Sequence, residues 1–281
     1  MNVKIISAIL VLALGSMACG FSVDLPKRSE AGPDIKESIT VAGPKSGETR
    51  LTLSFGAGTL KLSPGAGDAL VDGTAIYNFE ELKPEIVKSD GSVEIKHGNF
   101  KNLLNPGDIH NEWDLRLGES PIDLTINAGA YNGTFELGGL SLTNLTVKDG
   151  AANVDLSFSG PNQTEMSVLR YETGASDVSL TGLSDANFST LIFTGGAGNY
   201  TLDFTGELVR DGIVNIEAGA GDVQLIIPKD VNAKVTVEST AVSINHSSGW
   251  AQDGNDYTQK RTGPLLTILV EMAAGNLTIT D

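Results

Sequence analysis

Short segments in which apolar and polar residues alternate fill the second half of the chain. Examples are residues 142–147 (LTNLTV), 191–193 (LIF) and 213–216 (IVNI). A period of two predicts strands that bury one face. Stretches rich in Gly, Ser, Thr and Asn separate these segments, and no long segment has the helical period. The pattern therefore predicts an all-β protein with many turns.

A Gly-Ala motif, followed by Asn or Asp and two alternating apolar positions, recurs along this region. Successive alanines of the four clearest copies are 24, 22 and 23 residues apart. A unit of this length, with two short strands and tight turns, cannot bury a core alone and stacks on its neighbours. We therefore predict a β-solenoid, similar to a single-stranded β-helix, with coils of about 22–23 residues. The clear copies begin at Gly150, Gly174, Gly196 and Gly219; further copies lie at 273–279, near Ala241, at 129–130 and at 56–62.

Stacked coils bring equivalent residues into columns, because neighbouring strands of a sheet lie about 4.8 Å apart. Gly and Ala at the motif allow close stacking, and Asn or Asp can cap a turn. One column at the turns is predicted to contain Ala151, Ala175, Ala197 and Ala220. Two interior columns are predicted, the first with Val154, Val178, Tyr200, Val223 and Leu277 and the second with Leu156, Leu180, Leu202, Leu225 and Ile279.

The first residues have the pattern of an export signal. Lys4 precedes an apolar run that ends at Ala18, and the only cysteine of the chain, Cys19, follows directly. This arrangement resembles a bacterial lipoprotein signal, in which Cys19 becomes the N-terminus and carries the lipid. The alternative is cleavage by an ordinary signal peptidase after residues 16–18 (SMA), which would release a soluble secreted protein. Both interpretations predict an exported protein without an intramolecular disulfide.

The predicted organisation has four parts. Residues 1–18 are the signal peptide, and residues 19–36 are the lipidated cysteine with a flexible tether. Residues 37–120 form a smaller, β-rich N-terminal domain, and residues 121–281 form the C-terminal solenoid.

The charge of the chain excludes one class of partner. Its formal net charge is −16, with 19 Lys and Arg against 35 Asp and Glu, so nucleic acid is not a predicted partner. The same acidity opposes adsorption to anionic lipid headgroups. Membrane attachment is therefore predicted to depend on the lipid at Cys19.

The sequence offers no pattern typical of an enzyme. The three histidines, His97, His110 and His246, have no metal-site spacing, and there is no G-x-S-x-G motif. We predict no metal, no cofactor and no catalytic residues. Asp155 and Asp177 are weak candidates for a glycosidase carboxylate pair, and the Gly-Ala-Gly-Asp turn at 219–222 is a weak candidate for calcium.

One polar segment, residues 246–263, interrupts the repeat. It concentrates two aromatic and two basic side chains, which are residue types enriched at binding interfaces. The alternative is that the two aromatic residues cover the edge of the last coil. The candidate binding residues are Trp250, Tyr257, Lys260 and Arg261.

The motif and the last part of the chain resemble the toastrack-type β-solenoid domains of bacterial envelope proteins. The resemblance lies in the Gly-Ala-Gly units and in Gly249-Trp250, Asp256-Tyr257, 266–270 and 274–279, while residues 37–117 resemble the partner domain that precedes such domains. Relatives include adhesin-like head domains and cell-wall-stress regulators, which implies binding or sensing without catalysis. We therefore expect a non-catalytic, lipid-anchored envelope module that recognises protein or polysaccharide. The alternative is a carbohydrate-active enzyme with paired carboxylates in a solenoid groove.

Overall fold

A computed structural model describes residues 30–98 and 106–281, and these residues are mostly β-strand. The three short 3-10 helices among them are Glu80–Leu82, Pro106–Asp108 and Leu183–Ala186. The strands are β1 (Ile35–Ala42), β2 (Thr49–Pro64), β3 (Ala69–Tyr77), β4 (Pro84–Ser89), β5 (Ser92–His97), β6 (Asn111–Leu117), β7 (Ile122–Glu136), β8 (Leu142–Lys148), β9 (Ala151–Ser157), β10 (Met166–Thr181), β11 (Phe188–Asp203), β12 (Gly212–Ile226), β13 (Asn232–His246), β14 (Ala251–Asp253), β15 (Asp256–Gln259) and β16 (Leu265–Thr280).

The strands form one sheet whose centre is a stack of parallel coils. Its order is β1-β3-β6-β2-β7-β8-β10-β11-β12-β16-β13-β15-β14, and β9 continues the coil of β8 between β7 and β10. Neighbours from β2 to β13 along this stack pair in parallel. The predicted β-solenoid with toast-rack architecture is confirmed.

The Gly-Ala motif lies inside long strands, and this differs from the predicted tight turn. In β11 the buried side is Leu191, Phe193 and Gly195 before the motif and Tyr200 and Leu202 after it. The alternation therefore changes phase at the motif, and one strand supplies two walls of the coil. We call the part before this bend the first arm and the part after it the second arm. Backbone pairing with the neighbouring coil continues on both sides of the bend, so no hairpin turn is needed.

Close approach between coils explains the glycines of the bend. A Cβ on Gly196 would lie 2.4 Å from the carbonyl oxygen of Gly174, and a Cβ on Gly219 would lie 2.4 Å from that of Gly196. A Cβ on Gly198 would lie 1.8 Å from the carbonyl oxygen of Ser176. Because these neighbours are backbone atoms, a side chain can be added only if the coils separate.

The predicted columns are present. Ala175, Ala197 and Ala220 are direct partners in parallel register, and the Ala175 amide donates to the Gly150 carbonyl beside Ala151 at 3.0 Å. The two interior columns are buried in one hydrophobic core. The alanine column also extends through Ala130 to Ala57, so the coils begin at β2.

The last two coils do not follow the order of the chain. β16 pairs with β12 and with β13, so Ala274 lies between Ala220 and Ala241. β16 contributes Leu277 and Ile279 to the interior columns, where β13 has Ile244 and His246. The more apolar strand therefore occupies the central position, where both of its edges are paired, and the more polar strand lies at the outer position.

Additional strands cover the ends of the stack. The first arm of β2 pairs with β5, which pairs with β4, and the second arm pairs with β6, which leads to β3 and β1. At the other end, β15 and β14 cover the beginning of β13. The predicted boundary near residue 120 lies between β6 and β7, and the sheet is continuous across it because β2 pairs with β7 over both arms.

Candidate functional site

The structure separates the four candidate residues of the 246–263 segment. Trp250 and Tyr257 are buried, with exposed fractions of 6% and 3%, and both belong to the core. Lys260 and Arg261 are exposed. The aromatic pair therefore does not form a surface with the two basic residues.

The two aromatic residues are held in place by contacts with the last coil. Tyr257 lies on β15 opposite Val235 of β13, its hydroxyl is 3.1 Å from Gln252 Nε2, and its ring lies 5.3 Å from the His246 ring. Trp250 directly precedes β14. This arrangement is the one expected if the segment caps the stack.

Two cavities in the described part of the chain lie along the bend. We define the bend groove by the row of outward side chains that precedes the motif in successive strands. Because these residues are partners in register, their Cα atoms repeat about every 4.8 Å. In spatial order they are Lys96, Ser54, Asn127, Lys148, Glu172, Thr194, Glu217, Glu271 and Glu238.

The two ends of the bend groove differ in charge and in floor. A cavity of about 640 Å³ lies at the end with Lys96 and Lys148, and its floor includes Phe55 and His97. A cavity of about 420 Å³ lies at the other end beside the three glutamates. Lys148 is paired with Glu172 at 3.0 Å between these ends. The groove therefore changes from basic to acidic along its length.

Asp149 is a carboxylate at a position that faces the core in other coils. The Asp149 amide donates to the Glu172 carbonyl at 2.9 Å, and the residue lines the larger cavity. Its carboxylate accepts hydrogen bonds from the hydroxyls of Tyr171 at 2.8 Å, Tyr131 at 3.3 Å and Thr173. Burial raises the pKa of both tyrosines, so both stay protonated and remain donors.

The sequence contained a signal for Asp149 that the repeat analysis missed. The residue before the first glycine of the motif is Thr173, Gly195 or Ala218 in other copies, whereas it is Asp149 in this one. A carboxylate at a position that is uncharged in these copies indicates a local polar network. The hydroxyl partners come from two strands, β7 and β10, and only the fold brings them to Asp149.

His97 is a buried histidine beneath the basic end of the groove. Its Nδ1 lies 3.0 Å from the carbonyl oxygen of Leu82, and its Nε2 lies 3.3 Å from Asn111 Nδ2. The ring packs 4.8 Å from the Trp113 ring and 5.3 Å from the Phe55 ring. Burial lowers the pKa of His97 below its ordinary value, and the hydrogen bond to Leu82 partly opposes this effect.

We expect the stability of the protein to fall as the pH decreases below about 6.5, the ordinary histidine pKa, because unfolded His97 then binds a proton more readily than folded His97. The stabilisation is complete above that pH and is lost toward the lowered folded pKa. Thermal melts across this range should show a smaller slope for His97→Gln. An unchanged slope for His97→Gln would contradict the prediction.

The other histidines and the aspartate candidates lie apart from the groove. His110 pairs with Asp34 at 2.8 Å, and His246 is exposed at the end of β13. Asp155 and Asp177 occupy different columns, opposite Ser179 and Asn153 respectively. Among the described residues no group of three or more His, Cys, Asp and Glu side chains could hold a metal ion.

The Asn and Asp residues of the motif form a ladder of hydrogen bonds. Asn199 Nδ2 donates to Asp177 Oδ1 at 2.7 Å, and Asn276 Nδ2 donates to Asp222 Oδ1 at 2.6 Å. Alternation of amide and carboxylate avoids like charges on neighbouring strands. The alternation thus has a structural explanation that does not need calcium.

The predicted signal peptide, Cys19 and most of the tether lie outside the described residues. Within residues 30–98 and 106–281, no helix has the length and apolar character required to cross a membrane.

A family model accounts for the first half of the structure. Residues 30–169 match the model described as the N-terminal domain of toast_rack, DUF2154. The match extends from β1 into β10 and so includes the first motif copies. The chain is a toast-rack-type domain protein, and the resemblance inferred from its motifs is confirmed.

Three solved structures illustrate what the chain is similar to. A candidate cell adhesion protein from Clostridium sporogenes is 23% identical over 88% of this chain and 99% of that chain, with a TM-score of 0.49. A candidate adhesin from Bacteroides fragilis is 10% identical over 90% and 99%, with a TM-score of 0.39. One from Parabacteroides distasonis is 11% identical over 90% and 100%, with a TM-score of 0.35. No curated protein matches the sequence.

Proposed function

We propose that this protein is a non-catalytic binding module of the bacterial cell envelope that recognises protein or polysaccharide. The observation that supports this proposal is the bend groove. Stacked coils hold polar side chains in one row with a fixed spacing of about 4.8 Å. A pre-formed row of this kind suits an extended partner with a repeating structure, because little ordering is needed when the partner binds.

The groove crosses the stacked coils and changes from basic to acidic along its length, which favours an extended partner over a small molecule. Its two cavities, about 640 and 420 Å³, lie at opposite ends of the row. Glu217, Glu271 and Glu238 lie in no ion pair among the described residues. Their charges are available to a cationic or hydroxylated group of the partner.

A second candidate function is a carbohydrate-active enzyme, and the same glutamates favour it. Glycosidases place two carboxyl groups on opposite sides of the scissile bond, about 5 to 10 Å apart. Glu217 and Glu271 are register partners on adjacent parallel strands, so they project side by side from one face of the sheet. This arrangement supports binding better than hydrolysis.

In the experiment, the exported protein is immobilised and is then exposed separately to envelope proteins and to envelope polysaccharides. We expect Glu217→Lys with Glu271→Lys to reduce retention of the partner at least about tenfold, a change of about 1.4 kcal/mol. The control variant, Asp230→Lys with Asp253→Lys, changes the net charge by the same amount at exposed positions outside the groove. It should retain the partner as the wild type does. Equal retention by both variants would contradict the proposed groove, and release of reducing ends that Glu271→Gln abolishes would establish the enzyme.

The proposal includes a membrane anchor at Cys19, supported by the signal pattern in the sequence. We expect supplied palmitate to label the wild-type protein, and Cys19→Ser to lose both the label and membrane retention. A Cys19→Ser protein that is cleaved after Ala18 and fractionates like the wild type would support the soluble secreted alternative.

A further inference from the structure

The stack of coils has four arm ends, and three of them are covered by other strands. At the N-terminal end, β5 covers the first arm of β2 and β6 covers the second. At the C-terminal end, β15 pairs with residues 233–236, in the first arm of β13. The second arm of β13 is the fourth end.

Residues 241–246 of β13 form what we call the bare edge. On one side they pair with β16 from Ala241 to His246. On the other side, backbone hydrogen bonds to the hairpin end at the Val237 amide, which donates to the Asn255 carbonyl at 3.0 Å. Beyond this point the hairpin contacts the edge through side chains, with the Tyr257 ring 5.3 Å from the His246 ring. Among residues 30–98 and 106–281, no strand pairs with this outer side. Backbone hydrogen-bonding groups are therefore available there.

Apolar side chains at the bare edge are incompletely covered. Ile244 continues the interior column of Leu277, which is fully buried, yet Ile244 is only partly buried. Val242 is likewise only partly buried against the core. A strand added at this edge would complete the column.

Features that prevent edge pairing are present at the other edges and absent here. Proteins protect exposed edges with charged residues and proline. β1 has Lys36 and Glu37, β4 has Pro84, Glu85 and Lys88, and β14 has Asp253. The bare edge, with the sequence AVSINH, has no proline, lysine, arginine or carboxylate, although the whole chain has a net charge of −16.

We propose that the bare edge binds the bare edge of a second copy of this protein. Two identical edges related by a two-fold axis pair in the antiparallel direction and form a closed dimer. An axis at Ile244 places the two Ile244 side chains opposite each other and Val242 opposite His246. No like charges meet at this contact, and charges elsewhere are screened beyond about 8 Å at physiological ionic strength.

The contact is short, so the dimer is expected to be weak in solution. Six residues per copy form a smaller interface than stable complexes normally have. Attachment to one membrane would raise the effective concentration and favour the dimer. That last step rests on the proposed anchor, whereas the pairing itself does not.

The test uses the full chain with Cys19→Ser, which leaves no other cysteine. Ile244→Cys in this background should form a disulfide-linked dimer under mild oxidation, because opposed residues of antiparallel strands have the required separation. Ile86→Cys, at 39% exposure on the charged edge strand β4, is the matched control and should remain monomeric. Equal cross-linking of both variants would overturn the proposal.

Sedimentation of the Cys19→Ser protein over a concentration series provides an independent measurement. We expect reversible dimerisation that Ile244→Lys weakens at least about tenfold, or 1.4 kcal/mol. Ser243→Lys lies at an exposed position of the same edge and tests the contact without altering the core. A protein that stays monomeric at every concentration, or a dimer that neither lysine variant weakens, would overturn the proposal. Neither result affects the retention test for the bend groove, so the two proposals fail separately.

Discussion

Replacement of Gly198 by alanine is expected to reduce the free energy of unfolding by about 3 kcal/mol, the upper range for a residue forced into a packed interior. The added Cβ would lie 1.8 Å from the carbonyl oxygen of Ser176 and 2.8 Å from its carbonyl carbon. Both are backbone atoms of the neighbouring coil. The clash can be relieved only if β10 and β11 separate at the bend, which weakens their pairing on both arms.

Urea unfolding of the two alanine variants at Gly198 and Gly160 measures this effect. A Cβ on Gly160 would have no heavy atom within 4 Å, and its φ is not in the left-handed region. Gly160→Ala is therefore expected to unfold close to the wild type. If both variants unfold at the same denaturant concentration, close stacking of the coils is not what requires glycine at the bend.

The coil period and the columns could be predicted from the sequence because stacking imposes the same requirement on each repeat. Gly196 and Gly219 each face the carbonyl oxygen of the equivalent glycine in the preceding coil, and Val178 and Val223 lie in the same interior column. Each repeat therefore gives independent evidence of the same local environment in the stack. Such agreement between copies makes a solenoid easier to predict than a fold without repeats.

The bend and the order of the last strands could not be predicted in the same way. Gly-Ala-Gly is compatible with a tight turn as well as with a bent strand, since glycine allows both backbones. The position of β16 between β12 and β13 depends on a comparison of two distant segments. Leu277 and Ile279 favour the central position over Ile244 and His246 only when both strands compete for the same neighbour.

The candidate site required the pairing of distant strands. Lys96 and Ser54 become neighbours in the bend groove through β5 and β2, and Glu271 lies between Glu217 and Glu238 because of the inserted strand. No local pattern contains these relations. The segment with Trp250 was visible because it interrupts the repeat, but its sequence fits a cap and a binding site equally well.

Simultaneous replacement of Trp250 and Tyr257 by alanine is expected to cause a large decrease in the melting temperature. Both side chains belong to the core, and truncation of a buried aromatic residue costs about 3–5 kcal/mol. Their loss would also detach β14 and β15 from the first arm of β13. The first arm of the last coil would then be as open as its second arm. Differential scanning calorimetry of the double variant measures this loss.

Lys260→Ala with Arg261→Ala serves as the matched control in the same segment. Both positions are exposed, so the melting temperature should change little. The variant removes only exposed hydrogen bonds from the Arg261 guanidinium to the backbone carbonyls of Lys229 and Lys260. A double aromatic variant that melts like the wild type while it loses retention of envelope partners would show that the segment binds. A large decrease confined to the aromatic variant would establish that Trp250 and Tyr257 cap the stack, and the bend groove would remain the better candidate for recognition.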